Sequence, residues 1–286
     1  MNYQKIADSI RHYIDKKPGD HTAYIDLLSL CRQWEAEDFK AAHDLNEELR
    51  KLCAKQLHHA SAKEAEKFYE AWRKSLLFDA PHKFDAFMTY IELDRKPEKR
   101  FYAPRKHYLK PMVQGFQDVL DGKLRLLTIS MPKRAGKSQT GINFVNMLSG
   151  KFPDRSTLME GTGDDLVKSF YNGCLEYLVT PNEYLFYDVF PDARLVQTGA
   201  DTKIINLKSK SRFPTIMCRS IDARQVGLSE ATNVLYLDDC VEGREEAKNR
   251  QRLDDKWEVI SGDIMGRAIE GTPMVSVSYT HLTLPT

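Results

Sequence analysis

Apolar residues in the first part of the chain recur at the three- and four-residue spacing of a helix face. Leu45, Leu49 and Leu52 form one stripe, and Ala65, Phe68, Trp72 and Leu76 form another. Ser61 followed by Glu64, just ahead of the second stripe, is the S-x-x-E signature of a capped helix start. Residues 1–93 are therefore predicted to be an all-α region whose stripes build a core and carry no chemistry. From about residue 112 the period alternates between that of helices and that of strands. A helix PMVQGFQDVLDG leads into an apolar strand LRLLTIS, then a loop and a helix from about 137. STLMEGT reads as a strand and DDLVKSFYNGCLEYL as a helix. IINL and PTIMC read as short strands, NVLYLDD as a buried strand and PMVSV as another. This alternation predicts an α/β domain over 112–276, with a mostly parallel sheet covered by helices on both faces.

Between the two patterns lies DRKPEKRFYAPRKHYLK, residues 94–110, with two prolines and seven Lys or Arg. Residues 94–111 are predicted to be a basic linker. Its aromatics Phe101, Tyr102 and Tyr108, set among cations, suit contact with phosphates or stacking on a base, and equally suit a solvated connection.

Composition narrows the classes. The formal net charge is +1, so any nucleic-acid surface has to be a local patch or the product of a ring of subunits. No run approaches the ~18 apolar residues of a membrane span. The opening MNYQKIADSIRHYIDKK has no apolar core of a secretion signal, and a cytoplasmic, non-secreted protein is expected. Cys31, Cys53, Cys174, Cys218 and Cys240 are far apart and read as free thiols.

Chemistry concentrates in two places. MPKRAGKS, residues 131–138, follows a predicted strand and opens a predicted helix, which is the setting of a phosphate-binding P-loop. Gly136 would let backbone amides approach phosphate, Lys137 would supply a cation to it, and Ser138 would offer a hydroxyl to Mg2+. The helix start would add partial positive charge. Pro132, Lys133, Arg134 and Ala135 complete the cradle. Arg134 is favoured over Lys133 as a γ-phosphate contact in cis, because a guanidinium is always charged and forked. Met131 stands where the usual motif has its first Gly. The second place is NVLYLDD, residues 233–239, an apolar strand ending in two acids. Asp238 is assigned to the magnesium side and Asp239 to polarising the attacking water. Glu242, Glu245 and Glu246 are competing bases. The expected ligands are ATP and Mg2+, and the expected fold is a P-loop NTPase of the ASCE type.

Together these segments resemble the large terminase subunit of tailed bacteriophages over roughly 101–275. The P-K-R-A-G-K-S loop is similar to that family's Gly-poor, Arg-containing phosphate loop. LYLDDCVEGREEA is similar to its acidic segment, with Asp239 where the family usually carries Glu. Gln114 matches the family's adenine-reading Gln, with Gln117 as a competitor, and Gly271-Thr272-Pro273 resembles the motif coupling hydrolysis to movement. The resemblance implies an ATPase that drives double-stranded DNA into a procapsid, working with a small terminase subunit and a portal protein, as a ring on the portal, in the cytoplasm of an infected bacterium. It also implies a nuclease domain with metal-binding carboxylates, which these residues do not contain, so the chain is expected to be part of a longer protein. VSYTHLTLPT, residues 277–286, is expected to be a non-native tail encoded by sequencing-adapter DNA. A helicase-like remodeller and a non-catalytic scaffold with a decayed loop are the alternatives; a second RecA-like domain would mark the first, and intact Lys137, Ser138 and Asp238 count against the second.

Overall fold

The structure, a computed structural model, describes residues 2–222, 229–241, 246 and 248–278. The chain divides into two compact units, 1–90 and 91–286.

The first unit is helical: α1 (Tyr3–Lys16), α2 (His21–Trp34), α3 (Phe39–Leu57), α4 (Ala62–Asp79) and α5 (Phe84–Tyr90). Each of the first four helices begins at a side-chain cap. Asn2, Asp20 and Asp38 accept backbone N–H groups of the first turn, and Glu64 accepts the Ser61 N–H at 3.2 Å to close the foreseen capping box. The stripes face one core, in which Tyr24, Leu27, Leu45, Leu49 and Phe68 are buried, with Leu52 and Trp72 packed at its margin.

The second unit carries a sheet of seven strands: β1 (Leu126–Ser130), β2 (Thr157–Gly161), β3 (Leu195–Gly199), β4 (Ile204–Leu207), β5 (Ile216–Ser220), β6 (Val234–Asp238) and β7 (Met274–Ser278). Their order is β1-β7-β6-β2-β5-β4-β3. Neighbours from β1 to β5 are parallel, and β4 pairs antiparallel with both β5 and β3. The sheet is therefore mostly parallel rather than wholly so. The β3–β4 hairpin, of which only IINL was foreseen, adds the antiparallel edge.

Helices α6 (Lys106–Leu120), α7 (Lys137–Lys151), α8 (Asp164–Val179), the short α9 (Phe186–Val189) and α10 (Arg250–Glu258) flank this sheet. Every residue of β2 and β6 is buried, as strands covered on both faces must be. On one face α7 lies tight against β6: a Cβ on Gly141 would sit 1.9 Å from the Tyr236 hydroxyl oxygen. On the other, Leu158, Leu235 and Leu237 pack with Ile264 and with Val259 and Ile260 of the π-helical turn Val259–Ile264 that continues α10.

The two ends of the second unit differ from the pattern read in the sequence. Residues 94–110 are folded into the second unit, as two 3-10 turns (Pro97–Lys99 and Ala103–Arg105) and the first turns of α6. The clasp is the buried Glu92 carboxylate, which accepts the N–H groups of Phe101 and Tyr102 at 2.9 and 3.0 Å. Tyr102 is itself buried, and the Leu185 N–H donates to the Ile91 carbonyl. At the other end, Val277 and Ser278, the first two residues of the expected tail, belong to β7 and pair with Ile129 and Ser130 of β1. Residues 279–286 lie outside the described residues.

Candidate functional site

The MPKRAGKS loop leaves the C-terminal end of β1 and enters α7 at Lys137. Gly136 caps this helix at φ +96°, a conformation that glycine adopts without strain. Phe101 supplies a second reason for glycine: a Cβ here would meet its ring at 2.9 Å. Arg134, at the exposed turn, also has positive φ (+63°). Lys137 is buried, and its Nζ donates to the carbonyls of Met131 at 2.9 Å and Pro132 at 3.4 Å. The lysine thus closes the loop on itself, with its ammonium among backbone oxygens.

Parallel pairing brings the acidic strand to the same edge of the sheet. β6 ends at Asp238, level with Gly161 of β2 and Val277 of β7. Asp238 shares the β6 face of Tyr236, the face that packs against α7. It is fully buried, and neither carboxylate oxygen has a hydrogen-bond partner of regular geometry. Burial pushes its pKa up to about 6; the nearby Ser138 hydroxyl and the Lys137 charge pull down against burial, and the Asp239 charge adds to it. Those couplings bring Ser138, Lys137, Asp238 and Asp239 into one cluster.

Asp239 leaves the strand with φ +43°, held by two backbone contacts. Its N–H donates to the Val277 carbonyl at 2.8 Å, and its carbonyl accepts the Thr162 hydroxyl at 2.6 Å. Thr162 carried no sequence signal for this role, since a threonine after a strand is common and its partner lies far along the chain.

Gln114 is exposed on α6 and donates to Asp118 at 3.0 Å; Gln117 does the same to Asp121 at 2.8 Å. Glu242 and Glu245 lie outside the described residues. Glu246 forms an ion pair with Lys256 at 2.9 Å. Gly271-Thr272-Pro273 enters β7 at its N-terminal end, level with the start of β1. It therefore occupies the sheet edge opposite the loop, about five residues of strand, or roughly 17 Å, away.

Part of the basic stretch is paired inside its own unit. Arg95 donates to Glu183 and to the Tyr184 hydroxyl, and Lys99 pairs with Glu183 at 2.8 Å. Arg100 donates to the carbonyls of Arg95 and Leu93. Arg105 stacks on Phe101, and Lys106 lies over Tyr102. Of the cations expected to form a patch over 94–110, Arg95 and Lys99 are offset by the Glu183 carboxylate, whereas Arg100, Arg105 and Lys106 rest on neutral carbonyls and rings, which leave their charge in place.

Comparison of the chain with protein-family models and with curated proteins finds no match. Among the described residues, no helix is long and apolar enough to cross a membrane.

The oxygen donors at the cluster suit a hard divalent cation. Two buried carboxylate oxygens lack hydrogen-bond partners, and a serine hydroxyl stands beside them at the first turn of a helix. The N–H groups at the start of α7 add donors that suit an anion.

Proposed function

We propose that this chain is an ATP-hydrolysing motor domain with the P-loop NTPase fold, of the kind found in the large terminase subunits of tailed bacteriophages. One observation carries the reading. A fully buried aspartate with unbonded oxygens lies beside the serine of a glycine–lysine–serine loop, where strand β1 becomes helix α7.

On this reading Lys137 exchanges the carbonyls of Met131 and Pro132 for oxygens of the triphosphate, and the amides of Gly136 and the α7 start hold the same group. Ser138 and Asp238 hold the Mg2+ that accompanies ATP, which supplies charge neutralisation to the phosphate oxygens. Asp239 orients the attacking water and accepts its proton, with its left-handed backbone turning its side chain out of the strand's alternation. Arg134 serves the γ-phosphate in cis. Double-stranded DNA, a small terminase subunit, a portal protein and further copies of the chain in a ring are the proposed partners, in the cytoplasm of an infected bacterium.

The test is phosphate release from ATP and Mg2+, with and without double-stranded DNA. Lys137→Ala should lower turnover at least ~100-fold with unchanged far-UV circular dichroism, since it removes charge at the transferring group and no core packing. DNA binding by the single chain should be weak and lost with salt, because a chain of net charge +1 offers phosphates only a local patch. A parent chain without ATPase activity, or a Lys137→Ala chain as active as the parent, would end this reading.

A further inference from the structure

The helical unit brings two histidines and a glutamate together where no chemistry was foreseen. Glu35 follows α2, His43 lies one turn into α3, and His82 lies in the turn between α4 and α5. One ring nitrogen of each histidine and one oxygen of Glu35 lie within 4.8 Å of one another. His43 Nε2 is 3.2 Å from Glu35 Oε1, and His82 Nε2 is 3.5 Å from the same oxygen.

We propose that Glu35, His43 and His82 form a binding site for a divalent transition ion of the zinc class, with Asp79 as the residue that positions His43. Three observations lead there, and none depends on the function proposed above. The first is distance. Charge-assisted hydrogen bonds between nitrogen and carboxylate run about 2.7–2.9 Å. Ligands on a tetrahedral ion at zinc bond lengths of about 2.0–2.1 Å are about 3.3–3.4 Å apart. The separations of 3.2 and 3.5 Å lie near the second spacing, and the shorter is also that of a long N–H···O hydrogen bond.

The second is how the His43 ring is held. Asp79 Oδ1 lies 2.5 Å from His43 Nδ1, and its other oxygen accepts Arg50 at 2.6 Å. The Asp79 contact occupies Nδ1 and leaves Nε2 as the ring nitrogen that faces Glu35. There Nε2 either donates to the carboxylate as an imidazolium or turns its lone pair to a metal ion that the carboxylate shares. The latter is the carboxylate–histidine–metal arrangement in which an outer carboxylate orients the ligand ring.

The third is the surroundings. The His43 side chain is wholly buried, between the rings of Phe39 and Phe78, while Glu35 and His82 are about one-third exposed. An ion can therefore enter and keep a water as its fourth ligand, as in three-ligand zinc sites. Two imidazoles and one carboxylate favour a transition ion over Mg2+ or Ca2+, which prefer all-oxygen sites. Bound there, it would tie together the end of α2, the start of α3 and the α4–α5 turn.

The test is zinc titration of the whole chain after stripping with a chelator, in competition with a chromophoric chelator and without nucleotide. The parent should take up one zinc ion per chain at micromolar or lower concentration, unaffected by millimolar Mg2+. Its Co2+ form should show the intense visible bands of a tetrahedral site. His82→Gln and Glu35→Gln, at half-exposed positions, should keep the fold and weaken binding more than ~100-fold, and Asp79→Asn should weaken it about 10–100-fold. A stripped parent chain that takes no zinc overturns the proposal. So does binding that survives unchanged in both His82→Gln and Glu35→Gln, because the ion then sits elsewhere.

Discussion

Replacing Asp238 with asparagine should shift the stability of the second unit in the variant's favour as pH rises. The Asp238 carboxyl titrates near 6 in the folded chain, against an ordinary 3.8. Between those values the folded state holds the proton and the unfolded state has lost it. Stability is thus greatest when both states are protonated, and falls as pH rises through the folded pKa. At 1.36 kcal/mol per unit, the ionised group costs about 3 kcal/mol at pH 8 and only about 0.5 kcal/mol at pH 4. Asparagine has no such dependence. Its buried amide carries a fixed cost of about 1–3 kcal/mol if unpaired, but that cost is the same at every pH. The difference in stability between Asp238→Asn and the parent should therefore move by about 2–3 kcal/mol in favour of the variant between pH 4 and pH 8. The assay is urea titration without nucleotide and with a metal chelator, read by hydrogen exchange of peptides covering β6 and β7 so that the helical unit does not contribute. Two stability curves that stay parallel across this range would refute the reasoning, and with it the claim that Asp238 is held uncompensated. On the proposed function the same substitution abolishes Mg2+-dependent turnover.

Asp239→Asn should leave the fold intact, because asparagine tolerates the positive φ of +43°, and should lower turnover far more than nucleotide affinity; equal turnover would move the water-orienting role to another residue. Arg134→Ala and Arg134→Gly should lower ATP turnover alike, with the glycine variant more stable by about 0.5–1 kcal/mol because of the φ of +63°; full activity in both would return Arg134 to a surface charge. Gly136→Ala should destabilise the second unit by about 2 kcal/mol, from its φ of +96° and the Phe101 ring 2.9 Å away, which thermal unfolding would measure; a change under ~0.5 kcal/mol would mean the loop rearranges freely.

The parts of the fold legible in the sequence are those set by local pattern. β6 announces itself as an unbroken apolar run ended by two acids, and the capping box at Ser61 fixes the start of α4. What stayed hidden depends on residues far apart in the chain. β3 shows only a weak alternation in LVQTG, because an edge strand has little to bury. α7 shows no stripe, because it is buried on nearly all sides and Gly141 and Gly150 admit Tyr236 and Phe190 against its backbone. The stretch 94–110 reads as a linker by composition, and contacts with residues outside it make it part of the domain: the Glu92 carboxylate accepts two backbone N–H groups nine and ten residues on, and Arg95 and Lys99 reach Glu183. The cluster of Glu35, His43 and His82 was illegible for the same reason: Glu35 and His43 flank the α2–α3 junction, and His82 comes from the distant α4–α5 turn.

Strand order also decides what the second half of the candidate site can be. β7 is hydrogen-bonded to β1 on one side and β6 on the other, so it joins the strand that feeds the loop to the strand that carries the acids. Its C-terminal end touches the cluster directly: the Val277 carbonyl accepts the Asp239 N–H, and Ser278 lies level with Ser130. Its N-terminal end is anchored just as firmly. The Met274 N–H donates to Arg125, the Pro273 carbonyl accepts Leu235, and the Thr272 hydroxyl donates to Ala231. In the proposed motor, Gly271-Thr272-Pro273 therefore cannot sense the phosphates by contact. Any displacement of the acid strand against the loop strand has to shear the two ladders of β7, and that shear is what would reach Gly271 and the segment before it. The tripeptide then belongs to the output end of the strand, and Val277 and Ser278 to the input end.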